Sequence, residues 1–136
     1  LVQDFSTYGI MDIGGDDRGA YALGRYADAI KDENDYEMLF VFNKYRPLTP
    51  DAQSAYEIMQ EIEAACNIKF TAIVNNSNIG GLTDAQDVIN SLDSVNELSS
   101  ISGLPVKMTT VRADLINNLN GKVENLFPLT LQKKIV

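Results

Sequence analysis

No histidine occurs among the 136 residues, and the single cysteine is Cys66. Without imidazole, Ser-His-Asp and Cys-His nucleophile schemes are excluded, which leaves carboxylates, lysines, tyrosines or a bound metal for any chemistry. One thiol permits no intrachain disulfide, and a thiolate–imidazole zinc cluster cannot be assembled from it. Cys66 therefore reads as an apolar residue on a helix face. Basic residues are scarce too: 11 Lys and Arg against 19 Asp and Glu give a net charge of −8, which disfavours broad attachment to nucleic-acid phosphates or an anionic membrane. No apolar run approaches the roughly 20 residues that span a bilayer, and residues 1–8 carry neither a basic leader nor a secretory core. These absences predict a soluble, cytoplasmic chain with no transmembrane segment and no nucleic-acid signature.

What is present is the hydrophobic and charged balance of one ordinary globular domain spanning residues 1–136. The first residue is Leu1 rather than a methionine, which predicts a piece of a longer protein, here the C-terminal portion of a larger domain. Residues 8–13 form a short apolar run ending in Gly14-Gly15, as a buried strand entering a loop would. Beyond the polar loop 14–18, Ala20, Leu23, Ala27 and Ile30 recur at helical spacing. The run Met38, Leu39, Phe40, Val41, Phe42 within 36–43 predicts a central strand. Thr49 as N-cap and Pro50 as first helical residue open a second helix, with Ala55, Met59, Ile62 and Cys66 along one face.

Residues 70–74 read as another buried strand, followed by a polar loop over 75–82. Thr83 caps a third helix that runs to the stop signal Ser102-Gly103, and 104–111 form the next strand. Thereafter the pattern loosens into a short helix near 114–119, a turn at Asn120-Gly121 and an apolar tail around Phe127-Pro128. Strands alternating with helices predict an α/β fold, a mostly parallel sheet covered by helices in three layers.

Ligands of open parallel sheets bind at the carboxyl ends of the strands, so the loops 12–18, 43–49, 75–82 and 111–114 are expected on one rim. Asp12 at a strand end could hold a magnesium ion through water while Gly14 and Gly15 let amides approach a phosphate; equally, it could be an aspartate in a plain glycine turn. Gly14 and Gly19 have the outer spacing of a phosphate loop, but Ala20 stands where its lysine belongs, so this is not a Walker A. Asn75 and Asn76 offer donor and acceptor together, suiting the edge of a base, or form an asparagine-rich turn. Lys44 and Arg46 could meet a phosphate, or be ordinary exposed cations.

Taken in order, these segments resemble the later half of P-loop ATPases of the partition and septum-positioning type, related to the nitrogenase iron protein. The best-matching stretch is Ile10-Met11-Asp12-Ile13-Gly14-Gly15-Asp16-Asp17-Arg18-Gly19-Ala20, similar to the family's second switch. The resemblance implies that Asp12 organises magnesium-bound water, that the Gly15 amide senses the γ-phosphate, and that Asn75, in Ile73-Val74-Asn75-Asn76, contacts adenine. It further implies that residues 111–114, with Val111 and Arg112, close over the base. The family's lysine-bearing phosphate loop and first switch are absent from this sequence. On this reading the chain belongs to an ATP- and magnesium-dependent switch acting as a homodimer, inactive without the missing segment. The competing expectations are a non-catalytic receiver-like or flavodoxin-like binding module, in which Asp12, Asp16, Asp17 and Lys44 imitate a phosphorylation site, and a stable but inert structural piece.

Overall fold

The computed structural model describes residues 9–14 and 17–132. Its elements, in chain order, are α1 (Asp17–Gly24), α2 (Ala27–Glu33), β1 (Leu39–Phe42), α3 (Ala52–Cys66), β2 (Ala72–Asn75), α4 (Ala85–Ser102), β3 (Val106–Arg112), α5 (Ile116–Leu119) and β4 (Leu126–Leu129). The strands form one parallel sheet in the order β1-β2-β3-β4, giving an α/β architecture consistent with a three-layer fold. Phe40 pairs with Ile73 and Ile73 with Val106; farther along, Phe42, Asn75 and Thr109 stand in register. A register shift between Ile73 and Val74 accommodates one extra residue of β3.

Alternation in β1 is clean. Phe40 and Phe42 are buried, whereas Val41 is 60% exposed and Leu39 faces outward with it. The two phenylalanines join Ala55 and Met59 of α3, Ile73 of β2, and Val95 and Leu98 of α4 in one core cluster. Both long helices therefore cover the same face. That follows from the strand order, because successive crossovers of one hand that always advance in the same direction return on the same side. The apolar run 38–42 is thus an outer strand with one strand neighbour among the described residues, not the central strand that its composition suggested.

The helix ends are set by short-range chemistry. The N-cap of α3 is Asp51, not Thr49: its carboxylate accepts the Ser54 amide at 2.8 Å. The N-cap of α4 is Asp84, in a capping box with Asp87, while the Thr83 hydroxyl instead donates to the Gly80 carbonyl and closes the 3-10 turn Gly80–Leu82. Asn67 ends α3 and Gly103 ends α4, both left-handed at φ 58° and 73°.

The expected first strand over 8–13 is not formed where it is described: residues 9–14 are irregular, and Ile10 is 84% exposed. No described strand pairs with this segment, so its apolar side chains have no face to bury. Its last residue does pack. Gly14 lies so close to α1 that a Cβ on Gly19 would sit 2.4 Å from the Gly14 carbonyl oxygen. Helix α1, with Ala20 and Leu23, packs beside the end of α3 against Cys66 and Ile68, and Ala27 of α2 joins that cluster, which places the cysteine on a helix face in the core as expected. The fourth strand comes from the loosely patterned tail. No helix of the described residues is long and apolar enough to cross a membrane.

Candidate functional site

Three of the four expected rim loops are joined by hydrogen bonds at the carboxyl edge of the sheet. After β1, the Asn43 side chain acts as a surrogate backbone: Oδ1 accepts the amides of Tyr45 at 2.9 Å and Asn78 at 3.3 Å, and Nδ2 donates to the Asn78 carbonyl at 3.2 Å. The Lys44 amide donates to Ser77 Oγ at 3.0 Å, tying the same two loops a second time. The Lys44 ammonium turns away from the edge, donating to Ser94 Oγ of α4 at 2.9 Å and to the Pro50 carbonyl at 3.3 Å. It is a clasp between the loop after β1 and the α3–α4 layer. Arg46 is exposed.

The loop after β2 meets the end of β3 through two further contacts. Thr110 Oγ1 donates to Asn76 Oδ1 at 2.5 Å, and the Arg112 guanidinium donates to the Gly81 carbonyl through an Nη1 contact of 2.6 Å. Arg112 Nε also donates to Asp114 Oδ1 at 2.6 Å, and this bond holds the Asp114 carboxyl below the usual carboxylate range. The guanidinium is thereby fixed in direction before any ligand arrives.

Between these loops opens a crevice of about 270 Å³. Asn76, Ser77 and Asn78 bring polar groups to it from one side, and Thr110 and Arg112 from the other. Val88, Val111, Leu129 and Leu131 supply apolar surface. Asn76 Oδ1 is occupied by Thr110, so its Nδ2 is the end left to donate.

Of the residues singled out in the sequence, Asn76, Val111 and Arg112 converge on this crevice. Asn75 does not line it. Its side chain is fully buried under α4, where Nδ2 donates to Ser91 Oγ at 3.0 Å and Oδ1 accepts from Ser77 Oγ at 2.7 Å. Asn75 is thus a buried brace for the loop beside it, because its register with Phe42 and Thr109 points it at the helical layer. Asp12 lies exposed in the irregular segment 9–14, outside this crevice, and Gly15 lies outside the described residues. Among the described residues no three His, Cys, Asp or Glu side chains come together to hold a metal ion.

Thr110, Leu129 and Leu131 were missed as lining residues. Thr110 carries no motif. Leu129 ends, and Leu131 follows, a strand whose proline, Pro128, masks a β pattern.

No protein-family model, curated protein or solved structure matches this chain.

Proposed function

We propose that the crevice between the loops after β2 and β3 holds the base of a nucleotide, and that the chain is the base-binding part of an ATP-dependent switch of the P-loop kind it resembles. The observation that carries this reading is the convergence of Asn76, Val111 and Arg112 on one cavity at the carboxyl edge of a parallel sheet, where such folds receive ligands. Size supports it: at about 270 Å³ the crevice falls just below the roughly 300–1,000 Å³ of ordinary ligand pockets, suiting a single ring system rather than a whole triphosphate. Chemistry supports it as well, with apolar walls for the faces of a ring and amide and hydroxyl groups for its edge. A receiver-like module would need a lysine free at the rim, and Lys44 is instead engaged with Ser94 and Pro50.

Titrating the 136-residue chain with adenosine should shift the amide resonances of Asn76, Asn78 and Arg112, and Asn76→Ala should weaken that binding about tenfold, the equivalent of roughly 1.4 kcal/mol. Unmoved resonances at all three positions would defeat the reading. Turnover, magnesium binding at Asp12 and nucleotide-dependent homodimerisation belong to a protein that also carries a phosphate-binding loop. There, Asp12→Ala should abolish magnesium-dependent hydrolysis, and full activity of that variant would count against the switch.

A further inference from the structure

A second cavity, of about 330 Å³, lies between α4, β3 and the turn that precedes β4, and it shares no lining residue with the crevice at the carboxyl edge. Leu92 and Val95 from α4, Val106 from β3, and Val123 give it apolar surface. Thr109 also lines it. The residue is only 3% exposed, and its hydroxyl bonds to no other described residue. Every sealed side-chain nitrogen or oxygen among the described residues has a partner, so this hydroxyl keeps some accessible surface, and it has a donor and an acceptor to offer a molecule in the cavity its residue lines. Exposed Asn96, Lys122, Glu124 and Asn125 complete the lining, and neither Lys122 nor Glu124 forms an ion pair with another described residue.

We propose that this cavity binds a free α-amino acid with an aromatic side chain. A simple anion would suit Lys122 but face Glu124, in a chain whose net charge of −8 already repels it. A simple cation would suit Glu124 and face Lys122. A zwitterion offers a carboxylate to Lys122 and an ammonium to Glu124, both of which line the cavity. The four aliphatic walls take an apolar body, and the volume, at the lower end of ordinary ligand pockets, holds one small molecule. The Thr109 hydroxyl, deep among apolar groups, finds a partner in a polar tip such as a phenol.

The test is a titration of the 136-residue chain with L-tyrosine and L-phenylalanine, and with their N-acetyl and amide derivatives, followed by calorimetry and amide resonances. Binding should move Val95, Thr109 and Lys122, and each blocked charge should weaken it about tenfold, roughly 1.4 kcal/mol. Lys122→Ser should erase the difference between the free amino acid and its amide. Thr109→Val should remove any preference for tyrosine over phenylalanine while phenylalanine still binds. Lys122 is exposed, so its variant should melt at the wild-type temperature, which separates lost binding from lost structure. Unmoved resonances at these residues, or equal affinity for free and charge-blocked ligands, would overturn the assignment.

Discussion

Asn75 shows how one amide can be read correctly for position and differently for task. Its place after an apolar strand marks it as a rim residue, but the alternation of β2 sends its side chain under α4, where Ser77 and Ser91 take both ends of the amide. Asn75→Ala would take from Ser77 its acceptor and from Ser91 a donor, leaving each hydroxyl one other bond, and should lower unfolding free energy by about 1–3 kcal/mol in urea titrations. A change within error would mean the brace contributes nothing. Its neighbour Asn76 points the other way, toward the crevice, together with Arg112. Two adjacent asparagines look alike in sequence, and only the register of the strand separates the brace from the lining residue. Asp12 was legible as a carboxylate beside glycines, while its exposed position outside any described strand was not.

At the scale of elements, α3, α4 and three of the strands were legible from period and caps, because each carries a full stripe of apolar residues, whereas the stripe from Ala20 to Ile30 reads as one helix and is broken after Gly24 into α1 and α2. Caps were the weaker signal: in Thr49-Pro50-Asp51 and in Thr83-Asp84 two neighbouring threonine and aspartate candidates compete within three residues, and in each case the aspartate caps the helix and the threonine closes the preceding turn. The Asp51 cap carries a pH signature. The Ser54 amide holds its carboxyl below the ordinary value, with the Ser54 hydroxyl adding to the effect. A depressed folded pKa means that this contribution is present above the unfolded value, near pH 4, and lost as pH falls through the folded one. A carbon-detected titration of Asp51 should show a lower midpoint than the same group in the urea-unfolded chain; equal midpoints would contradict the cap. Strand β4 was not legible, since Phe127-Pro128 looks like a loop, yet a proline is tolerated on an outer strand where no further ladder bond is required.

For the molecule as a whole, the parallel α/β class followed from alternation alone, but the burial of the outer strand did not. A run of five apolar residues reads the same whether both faces are covered or one. The covered face holds the principal core, and Leu98, fully buried at its centre, should cost about 2–5 kcal/mol on replacement by alanine, seen as an earlier denaturation midpoint with unchanged slope. A loss well below that range would show that α4 is not bedded in this core. The consecutive order of the strands has a separate consequence. Every lateral partner is also the next strand along the chain, so no pairing has to wait for a strand farther along to arrive. Extra ribbons could be appended beside β1 or β4 without rethreading what is already in place.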